Sequence, residues 1–530
     1  MSTRPPQSLL RGVSLLMSGR MLNRFLGVGR EVLTAAFFGS SAAMDAFNLA
    51  FTIVTSMRQF FAEQFLTPII PTFFQRRQDG GEAAAVQSLS SITTRLNLIS
   101  IGICAVIFLG SKQIIQWIAP GFQPEQVRLA AVLIRWFAVG GVGFILHRYY
   151  SGIYMCFFRY TMISFAPLLM NVGAILAMIF FAAQYGVISL AAGFSLGFLA
   201  FFLLQAAGIP HRREILSPRW GRGDPGVHLY AVLLTPLFVS VFTEQIQLFI
   251  DRSLASGLPA GALSAQGYAL RLIRTSSDIW LGTFGVAVFP IFSELAAKER
   301  QDELAHHFSL ALQAVILFLF LTGAVMISLA LPTVRILLER GAFTAQDSLQ
   351  TARLLIYYTV AYVAQAFVVV IVRGLHAYKD TKHPMMATII SVAVMILFDF
   401  ILIRPMGITG LALATGIGYT TNLILVYLFF SRHLTSAHTK NNLKIALLAF
   451  FLVLPIGLMM KTGWSFLEKA HLLTGFLAQL SALAIFTATG TLLYILALRL
   501  LRVEAYEYAH NKIKTKLIKF FSQPSGKSDA

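Results

Sequence analysis

Runs of apolar residues long enough to cross a bilayer recur along the whole chain, among them "LLMNVGAILAMIFFAA" at 168–183 and "IALLAFFLVLPIGLMM" at 445–460. With their flanking residues these runs reach the roughly twenty helical residues that a hydrocarbon layer ~30 Å thick needs. With 530 residues, 57% hydrophobic and 12% charged, the chain reads as an all-α polytopic membrane protein with no room for a large soluble domain. Candidate helices run 10–37, 44–75, 93–111, 127–157, 161–184, 187–207, 228–254, 261–294, 305–336, 349–378, 384–403, 408–431, 444–460 and 472–499, about fourteen transmembrane helices in all.

The loops check that count, because Lys and Arg should collect in alternate connections if no span is missed. One set holds Arg4 and Arg11, Arg76 and Arg77, Arg159, the run Arg212, Arg213, Arg219 and Arg222, then Lys298 and Arg300, Lys379 and Lys382, Arg432, Lys440, Lys444 and the tail. The other set contains "GSSAA" and "ASGLPAGALSA" and only scattered Lys112, Arg128, Arg340, Arg404, Lys461 and Lys469. Both termini are therefore expected in the cytoplasm. Arg20 interrupts the first apolar stretch, which reads as a retained helix rather than a cleaved signal. The net charge of +19 follows this loop distribution and does not gather on one soluble face, which argues against nucleic acid. The tail "HNKIKTKLIKFF" reads as an ordinary positive-inside flank or as a contact with anionic membrane lipids.

A weak internal repeat has a period of about 220 residues. "GVISLAAGFSLG" from Gly186 resembles "GITGLALATGIG" from Gly407, "APGF" ending at Phe122 matches "RGAF" ending at Phe343, Arg159 falls on Lys379, and "IPTFFQ" at 70 falls on "FPIFSE" at 289. The expected organisation is an N-terminal six-helix half at 1–208, a basic cytoplasmic linker at 209–227, a second pseudo-symmetric half at 228–432, two extra transmembrane helices at 433–500 and a basic tail at 501–530. Duplications of this kind build transporters that open to alternate sides.

Charges inside the spans sharpen that expectation, since each costs at least ~2.5 kcal/mol at the bilayer centre. At 100° per residue, Arg20, Arg24, Gly27, Arg30 and Glu31 fall within an arc of about 120° on the first helix. The second helix adds Asp45, Arg58 and Glu63, with a Pro68/Pro71 pair expected to bend its end. The eighth adds Arg271, Arg274 and Asp278 on one face. Singly, Arg20, Arg148 or Arg274 reads as well as a snorkelling side chain or an interhelix ion pair as it does as part of a cargo cavity. As a set, the cations outnumber nearby acids, and a surplus of guanidinium groups in a wet cavity suits an anionic headgroup, because Arg grips phosphate oxygens bidentately. Glu31, Asp45 and Glu63 then position the arginines or pair with them when cargo is absent.

Glu244 and Asp399 also lie in apolar surroundings, with Thr415 on the following span. They read as structural acids or as a site for a monovalent cation, the one cofactor the pattern leaves open. No phosphate loop, H-E-x-x-H or paired Cys/His ligand spacing occurs, so neither ATP hydrolysis nor enzymatic chemistry is expected. Cys104 and Cys156 sit in apolar segments and read as packing residues.

"NRFLGVGREVLTAAFFGSSAAMDAFNLAF" and "MRQFFAEQFLTPIIPTFF" resemble the MurJ (MviN) lipid II flippases, as do "FAPLLMN" at 165–171, "YALRL" at 268–272 and "GAFTAQDS" at 341–348. The resemblance implies the multidrug/oligosaccharidyl-lipid/polysaccharide exporter superfamily. It further implies an undecaprenyl-pyrophosphate-linked peptidoglycan precursor (lipid II) as cargo, flipped from the cytoplasmic to the periplasmic leaflet of the bacterial inner membrane. By position, the family's cavity arginines fall on Arg24, Arg30, Arg58 and Arg271, and its acids on Asp45 and Glu63. It also implies a groove for the polyprenyl tail along the last two helices and, in some members, sodium among helices seven, eleven and twelve. The chain departs from the pattern at Asn23, at "VTS" 54–56, at Gln59, at Gln64 and at Leu270. Another polyprenyl-linked oligosaccharide is the alternative cargo. A drug/cation antiporter fits less well, since its cavity should be acidic.

Overall fold

The computed structural model describes residues 9–274, 301–377, 380, 382–432, 436–504 and 506–507. Among these, the long helices are α1 (Leu9–Phe38), α2 (Ala42–Met57), α3 (Ile69–Leu109), α4 (Pro124–Cys156), α5 (Leu168–Tyr185), α6 (Val187–Gly208) and α7 (Pro225–Ser256). They continue with α8 (262–274), α9 (Gln301–Ser328), α10 (Ala345–Ala377), α11 (Lys382–Met406), α12 (Ile408–Ser431), α13 (Ser436–Lys469) and α14 (Phe476–Leu500). Ten helical stretches among the described residues are long and apolar enough to cross a membrane. One of them is the continuous run Ala42–Leu109, which carries two of the expected spans and is bent where Gly80 and Gly81 leave helical geometry. The all-helical membrane architecture expected from hydropathy is the one found.

Local chemistry sets the helix starts. Ser41 accepts the Met44 N–H at the beginning of α2, and Asp224 accepts the Gly226 N–H where Pro225 opens α7. Gln123 and Gln126 form a reciprocal capping box at α4. Gly186 and Gly407, aligned by the repeat, precede α6 and α12 with φ of +55° and +57°. A side chain at either would be strained there, so both halves use the same glycine turn between paired helices.

The chain forms two compact units, Met1–Gly267 with Leu338–Asp347, and Tyr268–Leu337 with Ser348–Ala530. In the first, Tyr149, Tyr150, Phe65 and Phe73 are fully buried. Their polar ends find partners: Tyr149 Oη lies 2.9 Å from Thr93 Oγ1, and Tyr230 Oη donates to the Phe65 carbonyl at 2.8 Å. The second bond ties α7 to this unit, although the repeat places α7 in the second half. In the second unit the Phe308 and Phe430 rings pack with centroids 4.2 Å apart, and α13 packs on α9 with Met460 and Tyr494 buried. Lipid is as apolar as these cores, so fit and interhelix bonds, not water expulsion, hold the helices together. The outer belt is greasy, with Leu109, Phe180 and Leu477 exposed by 68–78%, as hydrocarbon requires.

Candidate functional site

The charged stripe of α1 faces α5 and α6. Arg30 donates Nη1 to Asn171 Oδ1 at 2.7 Å and pairs through Nη2 with Glu31, and its guanidinium stands 4.8 Å from the centre of the Phe194 ring. Asn171 in turn donates to Asn23 Oδ1 at 2.9 Å, so one amide links two turns of α1. Glu31 and Asn171 thus fix the direction of a half-buried cation whose ring contact adds ~0.5–2 kcal/mol. Arg24 lies on the same stripe, exposed.

Arg58 opens a single π-helical turn, Arg58–Ala62, that follows α2. One extra residue per turn rotates Arg58 relative to the α2 face, and such turns recur at functional positions. Its guanidinium lies 5.9 Å from the Phe144 ring. Phe144 stacks on Phe198 at 4.1 Å, and Phe198 meets Phe194 at 5.9 Å. Arg30 and Arg58 therefore stand over the two ends of one aromatic floor within the first unit. The ring faces hold the two guanidinium groups toward one surface, where Arg30 also bonds Asn171 and Glu31.

Asp45 takes a different place. It is buried at the start of α2, where its carboxylate accepts the Gly261 N–H at 2.6 Å, the Ser264 N–H at 2.7 Å and the Ser264 hydroxyl at 2.5 Å. These are orphan donors at the N-terminus of α8, so Asp45 caps that helix and meets its positive dipole end. The same end of the unit is tied by Ala342 N donating to Ala36 O at 2.8 Å and Gly121 N donating to Ser256 Oγ at 3.1 Å. These contacts tie the end of α1, the start of α2, the end of α7 and the start of α8 together at the charge-poor end of the first unit.

In the second unit Arg271 lies 5.6 Å from the Tyr268 ring, and Arg274 donates Nε to Tyr362 Oη at 3.0 Å. Asp399 on α11 is fully buried. Met395 packs at Gly418 and Leu402 at Gly410, a register that sets Asp399 level with the turn of α12 containing Thr415. The Thr415 hydroxyl bonds back to the Leu411 carbonyl at 2.9 Å. The side chains of Arg20, Glu63 and Glu244, and the whole of Asp278, lie outside the described residues. No group of three or more His, Cys, Asp or Glu that could hold a metal ion occurs among the described residues.

Sequence reasoning missed a further network. Asp251 and Arg252, both buried at the end of α7, meet Gln266 of α8: Arg252 Nη1 donates to its amide oxygen, and its amide nitrogen donates to Asp251 Oδ2 at 3.1 Å. The adjacent Asp–Arg pair inside an apolar run was the available signal. Asn171, alone and polar inside "LLMNVGA", was another.

The family model described as "Lipid II flippase MurJ" matches residues 34–483. A probable lipid II flippase MurJ of Vibrio cholerae serotype O1 is 27% identical over 437 residues, covering 79% of this chain and 82% of that protein. One from Thermotoga maritima is 28% identical over 494 residues, covering 92% and 96%. A solved lipid II flippase MurJ in an inward closed conformation shares the fold with TM-score 0.73 at 24% identity, over 91% of this chain and 99% of that one. An inward-facing multidrug resistance transporter of the MATE family, in the MOP superfamily, also shares it, with TM-score 0.67 at 15% identity, over 81% and 99%.

Proposed function

This chain belongs to the lipid II flippase MurJ family, and from that premise we propose that it moves undecaprenyl-pyrophosphate-linked peptidoglycan precursor from the cytoplasmic to the periplasmic leaflet by alternating access. The observation that carries this reading is the pair Arg30 and Arg58 held over one aromatic floor. A pyrophosphate offers acceptor oxygens at a spacing that two guanidinium forks suit. In the proposed cycle Arg24, Arg30 and Arg58 take the pyrophosphate, and Arg271 is the further cargo arginine that the sequence pattern offers. Glu31 holds Arg30 in place until cargo arrives, and Glu63 has the same part toward its neighbours. Asp45 keeps the charge-poor end shut through the start of α8 while cargo loads from the other side.

The protein acts as a transporter and makes or breaks no covalent bond in this reading. It resides in the bacterial cytoplasmic membrane with both termini in the cytoplasm, as the loop charges require. The test is complementation: cells depleted of their own flippase regain growth when this chain is expressed. Lysis with accumulated lipid II despite expression overturns the reading. A second cargo, another polyprenyl-pyrophosphate-linked oligosaccharide, is favoured by one observation, the altered residues Asn23, Gln59, Gln64 and Leu270 around the motif arginines. Deletion in the source cell separates the two, since that cargo predicts intact walls and lost surface polysaccharide.

For coupling, we propose a monovalent cation near Asp399 and Thr415; Glu244 is the other acid that the sequence offers for such a role. The support is a fully buried carboxylate at the level of a threonine turn. Asp399→Ala is expected to reduce sodium-22 uptake into proteoliposomes by roughly tenfold, the ~1.4 kcal/mol of one weakened ligand set. Equal uptake by the variant removes the cation from the cycle.

A further inference from the structure

Between α3 and α4 the chain turns through a short helix, Ser111–Ile118. Ile115 is buried beneath it, whereas Lys112, Gln116 and Trp117 point outward, Trp117 with 82% of its surface exposed. A helix with one apolar face, a cation and an outward Trp suits the boundary between headgroups and hydrocarbon. Arg135 on α4 donates Nε to Ser111 Oγ at 2.9 Å and fixes the start of this helix. The exposed Val106 and Leu109, at the end of α3, mark where the lipid-facing surface stops.

A cavity of about 570 Å³ opens here, lined by Lys112, Gln116, Phe122, Val127 and Arg128 among others. That volume lies within the ~300–1,000 Å³ of sites that hold small molecules or headgroups. Phe122 and Val127 are buried and make an apolar floor, while Lys112 and Arg128 are exposed at the rim. Neither cation has a hydrogen bond or ion pair among the described residues, and Glu125, one turn before Arg128, does not pair with it. Two cations and an amide over an apolar floor, beside a lipid-facing helix end, define an amphiphilic ligand with an anionic head.

We propose that this cavity binds the phosphate headgroup of a membrane lipid, gripped by Lys112 and Arg128 with Gln116 donating, while the lipid chain lies along the exposed flank of α3. Under the topology of the proposed function, on which its placement rests, the site faces the outer leaflet, the side on which cargo is released. The shared chemistry is a lipid phosphate, supplied either by bulk anionic phospholipid or by a polyprenyl pyrophosphate.

The test presents the purified full-length chain in detergent with phosphatidylglycerol or with a polyprenyl pyrophosphate, and counts retained lipids by native mass spectrometry. The double variant Lys112→Gln/Arg128→Gln is expected to retain one phosphate lipid fewer, with half-saturation raised roughly tenfold. Loss confined to phosphatidylglycerol assigns the site to bulk lipid, and loss confined to the polyprenyl pyrophosphate assigns it to cargo. The charge-keeping Lys112→Arg/Arg128→Lys variant holds the wild-type count, which separates binding from misfolding. An unchanged count in the glutamine variant overturns the site. With phosphatidylglycerol as the probe, Arg30→Ala keeps the wild-type count, so failure here and failure of the central arginines are told apart.

Discussion

Arg30→Ala weakens binding of a lipid pyrophosphate by roughly 10- to 100-fold, corresponding to the ~1.5–3 kcal/mol of a hydrogen bond to a charged group. The variant also leaves Glu31 half-buried without its guanidinium and Asn171 without its donor, so part of the loss reports a disturbed floor rather than a missing contact. Arg30→Lys separates the two contributions. A lysine keeps the charge but cannot fork between Glu31 and Asn171, so its affinity should fall between wild type and alanine. Titration of the purified protein with a soluble-chain lipid pyrophosphate reads all three. If Arg24, Arg30, Arg58 and Arg271 can each become alanine at unchanged affinity, the guanidinium reading is wrong.

Asp45→Ala carries the largest expected effect on stability. It removes three short bonds to the start of α8 and leaves two buried N–H groups of that helix without an acceptor. Losing a buried charge-assisted cap costs about 2–4 kcal/mol, which lowers Tm by roughly 2–4 °C in a chain of this size. Asp45→Asn retains one acceptor oxygen and should lose about half as much. Thermal unfolding in detergent measures both. A transport assay adds the functional arm: a weakened closure at the charge-poor end slows net flipping beyond what reduced protein abundance explains. A variant as stable as wild type shows that α8 is held by its packing and not by this carboxylate.

The two predictions differ in how far the sequence could lead toward them. Arg30 was legible because a guanidinium in a lipid-crossing segment is costly enough to demand a reason, and helical periodicity put it on one stripe with Arg24 and Glu31. Its partners were not, because Asn171 and Phe194 lie on other helices and periodicity carries no information across helices. Asp45 was legible as a buried acid and was grouped with the cargo residues. Its carboxylate instead meets backbone N–H groups at Gly261 and Ser264, which no residue pattern advertises, since every residue but proline carries that donor. The π turn at Arg58 was equally hidden: an extra residue in one turn leaves composition unchanged and alters only the direction in which the side chain points.

Hydropathy and loop charge alone determined that this chain is a bundle of membrane-crossing helices, because transfer into lipid is a sum over local residues, but not all the helix ends: α3 starts at Ile69 where 93 is expected, and α13 runs Ser436–Lys469 where 444–460 is expected. They also determined that the cations inside the spans require partners. Only the tertiary structure decided which partners: an aromatic floor beneath Arg30 and Arg58, an amide for Arg30, a helix terminus for Asp45, and a bridging glutamine for Asp251 and Arg252. Those choices depend on distances between residues up to 219 positions apart, and such distances exist only once the helices have packed.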